Sequence, residues 1–187
     1  MRIVLLGAPG AGKGTQALLI CQAKKIPHIS TGDMMRQAVA RASALGSRVK
    51  GYLDRGELVP DDVVIEVIKD RLSADDCRNG FLLDGFPRTV EQSKRLDTLL
   101  SGMKLELTHA VNLMVPREVL LQRIMSRGAS GSGRTDDKGD VALHRLTVFL
   151  EQTAPAIELY KGRKIYFEIE GLGSVDEVHQ RVLTALE

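Results

Sequence analysis

A glycine-rich segment directly after the first apolar run is the feature that most restricts how this chain can fold. Residues 3–6 are Ile-Val-Leu-Leu, residues 7–15 are Gly-Ala-Pro-Gly-Ala-Gly-Lys-Gly-Thr, and a helical pattern follows. A strand, a glycine loop and a helix in this order are typical of a phosphate-binding loop. The glycines let backbone N–H groups turn towards an anion, and the helix N-terminus adds a partial positive charge. The segment therefore predicts a phosphate site after the first strand.

Lys13 is the side chain of this loop that can reach the terminal phosphates of a nucleotide. The usual motif ends in Gly-Lys-Ser or Gly-Lys-Thr, whereas here Gly14 follows the lysine and Thr15 comes one place later. The alternative interpretation is a glycine-rich strand-to-helix turn that carries an incidental lysine. Four glycines and a lysine between a strand and a helix favour the phosphate loop.

Short apolar runs alternate with longer amphipathic stretches along the rest of the chain. Buried strands are predicted at 3–6, 81–83, 110–115 and 165–167, with a weaker fifth at 27–29. Helical patterns begin at Asp61, after Pro60, and at Ser174. Strands that alternate with helices predict an α/β fold, with a parallel sheet covered by helices on both faces.

Two segments interrupt this alternation. Several helical patterns follow one another over 31–72, which predicts a helical insertion. Residues 128–133 read Gly-Ala-Ser-Gly-Ser-Gly, which predicts a flexible loop.

Length and charge limit the class of protein. The chain has 187 residues, 43% of them hydrophobic, which predicts one globular domain and argues against intrinsic disorder. A net charge of +2 provides no overall field for non-specific binding to nucleic acid or to an anionic membrane, so neither partner is expected. The 26 cations nevertheless include 16 Arg, the side chain that binds phosphate through two hydrogen bonds.

The cysteines point to a reducing compartment. Cys21 and Cys77 lie far apart and form no Cys-x-x-Cys pair, which argues against a zinc site and a disulfide framework. The chain has no run of about 20 apolar residues to span a bilayer. Its first apolar run is also shorter than the roughly 7 residues of a signal-peptide core. We therefore expect a cytoplasmic protein.

Asp84 is a candidate magnesium ligand. It follows the apolar run 81–83, and open parallel sheets bind their ligands at the carboxyl ends of the strands. A carboxylate there can hold Mg²⁺ directly or through water. The alternative is an aspartate that only begins the next turn.

The phosphate loop leaves few classes of protein. A regulatory GTPase reads guanine with an Asn-Lys-x-Asp motif, but neither Asn79 nor Asn112 is followed by Lys. Motor and helicase ATPases need a longer chain. A small-molecule kinase remains.

Seven segments of the chain can be compared, in their order and spacing, with known kinases. The segments are Gly-Ala-Pro-Gly-Ala-Gly-Lys-Gly-Thr at 7–15, Ser-Thr-Gly-Asp-Met-Met-Arg at 30–36, Gly-Glu-Leu-Val-Pro-Asp at 56–61, Asp-Gly-Phe-Pro-Arg-Thr at 84–89 with Gln92, Arg123 with Arg127, Gly-Arg-Thr-Asp-Asp at 133–137 and His-Arg-Leu at 144–146. In these segments the chain resembles adenylate kinases of the short-lid form along essentially its whole length. The late position of Thr15 is normal for that family.

The resemblance implies a fold and a reaction. The fold is the three-layer P-loop kinase fold, with a five-stranded parallel sheet flanked by helices. The reaction is the reversible transfer of a phosphoryl group from Mg-ATP to AMP, giving two ADP. The resemblance divides the single domain into a core at 1–29, 60–127 and 138–187, an NMP-binding insertion at 30–59 and a short lid at 128–137.

The resemblance also implies an AMP site. Arg88 matches the ligand of the AMP phosphate, and Pro87 is expected to be cis because rigid turns at sites retain that isomer. Without the resemblance, Thr31 would be a helix cap and Arg36 a solvated charge. The implied AMP ligands are Thr31, Arg36, Glu57, Leu58, Val59, Gly85, Phe86, Pro87, Arg88, Gln92, Arg134 and Arg145.

Gln92 is the residue most informative about the base. Its amide has one acceptor and two donors, so it can pair with the N6 donor and a ring nitrogen of adenine. The alternative is an exposed helix residue. Relatives that act on UMP and CMP typically have Ala in place of Thr31 and Asn near Arg88, so Thr31, Thr89 and Gln92 favour AMP.

The resemblance also implies residues that bind ATP and residues that act on the transferred phosphoryl group. Arg123 matches the residue that packs on the ATP adenine, Arg127 the one on the ATP phosphates, and Gly173 a backbone contact to that adenine. The implied ATP ligands are Gly10, Ala11, Gly12, Lys13, Gly14, Thr15, Arg123, Arg127 and Gly173. The implied catalytic residues are Lys13, Arg88, Arg127, Arg134 and Arg145, with Mg²⁺ near Asp84.

Other charged residues are expected to have supporting or surface roles. Asp136 and Asp137 orient Arg134 or brace the lid, or they are solvated loop acids. The arginines expected on solvated faces are Arg117, Arg163 and Arg181.

The expected chemistry needs no general base, because a phosphate oxygen of AMP is already ionised at neutral pH. Six residues between Arg127 and Arg134 are too few for the long lid that holds zinc in some relatives, so we expect Mg²⁺ and no zinc. The family leads us to expect a monomer that binds ATP, AMP and ADP. A UMP/CMP kinase and a nucleotide-binding regulatory protein remain as alternatives.

Overall fold

A parallel sheet forms the centre of the molecule. The computed structural model describes residues 1–129 and 139–187, without the side chains of 127–129 and 139. The strands in this part of the chain are β1 (Arg2–Gly7), β2 (His28–Ser30), β3 (Phe81–Asp84), β4 (His109–Met114) and β5 (Tyr166–Glu170). Their order is β2-β3-β1-β4-β5, and every neighbouring pair is parallel. The α/β fold with a five-stranded parallel sheet is therefore confirmed.

Helices connect the strands and cover both faces. They are α1 (Lys13–Lys24), α2 (Thr31–Ala40), α3 (Ala44–Arg55), α4 (Asp61–Leu72), α5 (Val90–Gly102), α6 (Arg117–Ala129), α7 (Gly139–Val148), α8 (Ala154–Lys161) and α9 (Val175–Ala185). A π-helical turn, Phe149–Thr153, joins α7 to α8. The helices α2, α3 and α4 follow one another without a strand between them, as the pattern over 31–72 predicts.

The side chains of β1 alternate between two apolar clusters, one on each face of the sheet. Ile3 and Leu5 pack with apolar side chains of α1 and α9. Val4 and Leu6 pack with those of α4, α5 and α8. All four side chains are at most 3% exposed. Burial of each contributes about 1.5–3 kcal/mol, so β1 is held from both sides and its carboxyl end is a rigid support for the loop that follows.

Two of the arginines predicted on solvated faces have structural contacts, so that prediction was wrong for them. Arg163 binds both carboxylate oxygens of Asp97, at 2.9 and 2.6 Å, and its guanidinium lies 4.7 Å from the ring centroid of Tyr160. Arg181 donates to the carbonyl oxygens of Glu170 and Leu172, at 2.9 and 2.6 Å. Asp97 lies 66 positions from Arg163, and Glu170 and Leu172 lie 11 and 9 positions from Arg181, so the local pattern concealed these hydrogen bonds.

The segment around the expected lid is described only in part. Helix α6 ends at Ala129, so its last two residues fall within the predicted loop 128–133, and that boundary was wrong. The remainder of the expected lid lies outside the described residues. Among the residues that the structure does describe, no helix is long and apolar enough to cross a membrane.

Helices α2 and α3 pack backbone against backbone at Gly46. A Cβ atom on Gly46 would lie 2.2 Å from the carbonyl oxygen of Ala38 and 2.7 Å from Cα of Val39. Neither atom can move without shifting α2. Gly51, one and a half turns further along α3, is exposed, and a Cβ there would meet only the flexible end of Arg55.

We expect Gly46→Ala to lower the free energy of unfolding by about 1–3 kcal/mol, because the added methyl overpacks a backbone contact. Gly51→Ala, in the same helix, is the matched control and should raise it by up to about 1 kcal/mol through helix propensity. Urea denaturation measures both values. Equal stability of Gly46→Ala and the wild type would contradict the close packing of α2 and α3.

Candidate nucleotide-binding site

The predicted phosphate loop connects β1 to α1. Gly12 occupies the N-cap position of α1 with φ +96°, a left-handed conformation that glycine adopts without strain, and no side chain caps the helix. The first N–H groups of α1 therefore have no side-chain acceptor at that position. Lys13 Nζ donates to the carbonyl oxygens of Gly7 and Ala8, at 2.7 and 2.9 Å. The ammonium group thus lies against the loop itself.

Asp84 lies at the carboxyl end of β3, opposite Leu5 of β1 and Ser30 of β2. His28 Nε2 is 3.4 Å from its Oδ2 atom. Burial by itself would raise the pKa of Asp84, but the hydrogen bond with His28 and the positive charges of Lys13 and Arg88 outweigh burial. The pKa of Asp84 therefore lies below its ordinary value, and the carboxylate is ionised at neutral pH.

Asp84 has the chemistry of a magnesium ligand that works together with phosphates. The described residues contain no group of three or more His, Cys, Asp or Glu side chains that could hold a metal ion. Mg²⁺ in nucleotide sites is commonly held by one or two carboxylates, with phosphate oxygens and water completing its shell. A single ionised carboxylate beside a phosphate loop fits that pattern.

Three cationic side chains line one cavity above the loop, which we call the phosphate cavity. They are Lys13 from α1, Arg88 from the turn after β3 and Arg145 from α7. Its other walls come from Gly7, Pro9, Gly56, Leu58, Gly85, Pro87, Val148, Phe149 and Thr153, among others. The cavity therefore collects positive charge from three separate parts of the chain.

A second cavity, which we call the base cavity, shares Gly56, Leu58, Gly85, Arg88 and Arg145 with the phosphate cavity. Of the residues expected at AMP, it is lined by Thr31, Arg36, Glu57, Leu58, Val59, Gly85, Arg88, Gln92 and Arg145. Its walls combine apolar side chains with a few polar and charged groups, as small-molecule sites commonly do. Pro87 instead lines the phosphate cavity, and Phe86 is buried in the core.

The carbonyl oxygen of Gly85 connects the two cavities. It accepts hydrogen bonds from Thr31 Oγ1 at 2.9 Å and from Arg88 Nε at 2.8 Å. Gly85 has φ +75°, which glycine adopts without strain, and a Cβ there would displace the guanidinium of Arg88, whose Nη2 atom would be 2.9 Å away. The Phe86–Pro87 peptide bond in the same turn is cis, as expected. This turn aims the Arg88 guanidinium along the wall that both cavities share.

Gln92 is 2% exposed, so the alternative interpretation as an exposed helix residue is wrong. Its amide oxygen accepts from the backbone N–H of Arg88 at 2.7 Å. Its amide nitrogen donates to Asp61 Oδ1 at 2.7 Å. The amide that the sequence singles out is thus held in place from both sides.

The insertion contributes two ion pairs at the rim of the base cavity. Arg36 pairs with Asp33 at 2.6 Å, one turn earlier in α2. Glu57 accepts from Arg55 at 2.9 and 2.8 Å, and this hydrogen-bonded pair lowers the pKa of Glu57. Because both pairs are partly exposed, they orient these side chains more than they stabilise the fold.

Arg123 and Gly173, which are expected at the adenine of ATP, lie in segments that contact each other. Arg123 Nη2 donates to the carbonyl oxygen of Gly171 at 3.2 Å, so α6 touches the loop that contains Gly173. Gly173 itself has φ +107°. Arg127 lies in α6, but its side chain is not described, and Arg134, Asp136 and Asp137 lie outside the described residues.

The sequence model of the adenylate kinase family matches residues 5–165. This chain belongs to the adenylate kinase family. An adenylate kinase of Leptospira biflexa is 48% identical over 185 residues, which cover 99% of each chain. One of Thermobifida fusca is 43% identical, covering 100% of this chain and 98% of the relative. One of Geotalea daltonii is 39% identical over 213 positions, covering 100% of each. The chain is therefore a nucleotide-binding, ATP-binding kinase of this family.

The structure shows contacts at the site that were not predicted from the sequence. His28 was assigned only to a strand, although it contacts Asp84. Asp61 was predicted to begin a helix and belongs to the matched segment 56–61, but its contact with Gln92 was not predicted. Thr153 lines the phosphate cavity, is buried, and makes no capping bond at the start of α8. Each contact joins residues more than 25 positions apart or lies in a turn without a motif, so only tertiary structure reveals them.

The charge of Asp84 also affects a neighbouring thiol. Burial first, and the charge of Asp84 second, raise the pKa of Cys21 to about 11. Only the thiolate reacts with iodoacetamide. We therefore expect Cys21 of the native protein to be alkylated at pH 8 at least about 100-fold more slowly than in the urea-unfolded chain, as measured by peptide mapping. Equal rates in the two states would contradict the raised pKa.

Proposed function

We propose that the protein catalyses the reversible transfer of the terminal phosphoryl group from Mg-ATP to AMP, giving two ADP. The observation that carries this proposal is the convergence of Lys13, Arg88 and Arg145 on a phosphate cavity that continues into the base cavity. A donor phosphate at the loop and an acceptor phosphate at Arg88 would meet in that cavity. The relatives named above support the same reaction class.

In this proposal the acceptor AMP occupies the base cavity. Its phosphate binds Arg88 and Arg36, its base lies along Glu57, Leu58 and Val59, and Gln92 reads its edge. The hydrogen bonds of Thr31 and Arg88 to Gly85 support the proposal, because they position two AMP ligands before the nucleotide arrives. Such preorganisation reduces the entropic cost of binding.

The donor ATP occupies the phosphate loop. Backbone N–H groups of residues 10–15 surround its phosphates, and Lys13 moves from the carbonyl oxygens of Gly7 and Ala8 to the terminal phosphates. Its adenine lies between Arg123 and Gly173, which the contact of Arg123 with Gly171 supports. The roles of Arg127 and Arg134 at the phosphates rest on the family resemblance alone.

In this proposal the side chains catalyse the reaction by positioning the two nucleotides and by neutralising negative charge. The attacking oxygen of AMP is already ionised, so no side chain has to remove a proton. Lys13, Arg88 and Arg145 neutralise the negative charge of the transferring group and hold the two nucleotides in line. Excluding water from the cavity favours transfer to AMP over hydrolysis of ATP. Arg145 and Val141 of α7 pack against Gly56, so α7 covers the cavity on the side of the insertion.

Mg²⁺ bound near Asp84 would neutralise charge on the phosphates of ATP. Asp84 is the described residue that would hold it, through water, because its carboxylate is ionised and lies next to the loop.

The family also supports a division into a core, an insertion at 30–59 and a short lid at 128–137. The alignment with the Geotalea daltonii relative extends over 213 positions, compared with 185 for that of Leptospira biflexa. The longer relative therefore contains residues that this chain lacks, and a short lid in this chain would account for that difference. We further propose a cytoplasmic monomer.

Arg88→Ala should lower kcat for AMP by about 100-fold or more, because it removes a preorganised charge from the transferring group. Arg95→Ala is the matched control: Arg95 lies in α5 and pairs with Asp62 at the surface. A coupled assay with ATP and AMP, UMP, CMP or GMP as acceptors measures both variants and the wild type. Near-normal turnover of Arg88→Ala would refute its role, and a wild type that prefers UMP or CMP would refute the proposed substrate.

Asp84→Asn should raise the Mg²⁺ concentration for half-maximal activity by about tenfold or more, since the amide keeps the size of the side chain but not its charge. Asp70→Asn, on an exposed position of α4, is the control. A magnesium titration of the initial rate measures the change. The same half-maximal concentration in all three proteins would argue against a magnesium role for Asp84.

A further inference from the structure

The Gln92 amide has two hydrogen-bond partners, and their chemistry determines its orientation. A backbone N–H can only donate, so the Gln92 atom 2.7 Å from the nitrogen of Arg88 must be the oxygen. The carboxylate of Asp61 can only accept, so the Gln92 atom 2.7 Å from its Oδ1 must be the nitrogen. A flipped amide would face oxygen against carboxylate and N–H against N–H.

The two hydrogen bonds use half of the capacity of the amide. The oxygen keeps one lone pair and the nitrogen keeps one hydrogen. Because Gln92 lines the base cavity, this acceptor and donor are what it can offer to a base there. Adenine presents an N6 donor beside the N1 acceptor and is complementary. A 6-oxopurine presents an O6 acceptor beside an N1–H donor, which is the reverse pattern.

Asp61 is itself held in place. It is the first residue of α4, directly after Pro60, and its second carboxylate oxygen accepts from Thr89 Oγ1 at 3.0 Å. Thr89 caps α5 by accepting from the backbone N–H of Gln92 at 3.0 Å. The carboxylate therefore links the first turns of α4 and α5, and both of its oxygens have a defined donor.

We propose that Asp61 is a positioning residue that holds the Gln92 amide in the orientation selecting 6-aminopurine over 6-oxopurine nucleoside monophosphates. This inference rests on the proposed AMP site. Asp61 acts through Gln92 and does not touch the base. Without it, the nitrogen of Gln92 loses a partner, and the amide is held by Arg88 alone.

The test compares Asp61→Leu, Asp61→Asn and the neighbouring control Asp62→Asn. Leucine removes the acceptor. Asparagine keeps it, because its oxygen can face Gln92 while its nitrogen donates to Thr89 Oγ1. Asp62→Asn changes the same charge at the same helix end, but Asp62 pairs with Arg95 at the surface. The readouts are kcat and KM for AMP and for IMP, together with the melting temperature.

For Asp61→Leu we expect the KM for AMP to rise about tenfold, kcat at saturating AMP to stay within about twofold, and the AMP/IMP ratio of kcat/KM to fall about tenfold. Asp61→Asn and Asp62→Asn should keep the wild-type ratio. An unchanged ratio in Asp61→Leu, or an equal loss in Asp61→Asn, would overturn the proposal. If Asp61→Leu does not fold, Asp61→Ala replaces it with the same expectation.

Calorimetric titration of each protein with AMP and IMP separates this inference from the proposed function. A wild type that binds AMP over IMP but transfers no phosphoryl group refutes the reaction, while the variants still test Asp61. A wild type that does not discriminate between AMP and IMP refutes the role of Asp61.

Discussion

The parallel pairing of β1 with β3 is the contact on which the site depends. Leu5 lies opposite Asp84, so the glycine loop after β1 and the turn after β3 leave the sheet at the same edge. Each is a local turn by itself, but side by side they put Lys13 and Arg88 in one cavity wall. A shift of the register by one residue would move Asp84 to the other face of the sheet and separate these groups.

Positive charge is concentrated around the two cavities, although the net charge of the whole chain is small. The net charge is only +2, yet the arginines at 36, 88 and 145 line the two cavities together with Lys13. Such a surface has little long-range attraction for a long polyanion, but it offers a small one several cations at once. Arg36, Arg88 and Arg145 thus lie where a small anion could be bound through two hydrogen bonds by one guanidinium.

The site depends on main-chain atoms as much as on side chains. The carbonyl oxygen of Gly85 positions Thr31 and Arg88, and the N–H of Arg88 positions Gln92. Motif residues are recognisable because these backbone conformations tolerate few substitutions. Asp61, at the end of the matched segment 56–61, and His28, in a strand, support the same network, but the sequence predicted their elements and not their contacts. The same reasoning explains the wrong predictions for Arg163 and Arg181, whose hydrogen-bond partners are 66 and 9–11 positions away.

The sequence by itself determined the alternation of strands and helices and the phosphate loop at Lys13, because periodicity and turn chemistry are local. The residues expected at AMP came from the resemblance of several segments to a known family. Tertiary structure decided which of those residues meet: the order β2-β3-β1-β4-β5 brings the turn after β3 beside the loop, and the start of α4 beside the start of α5. It also decided that Gln92 is buried and that its amide has one orientation. The physical reason is that a donor or acceptor is satisfied by its neighbours in space, and the spacing of residues along a chain does not specify those neighbours.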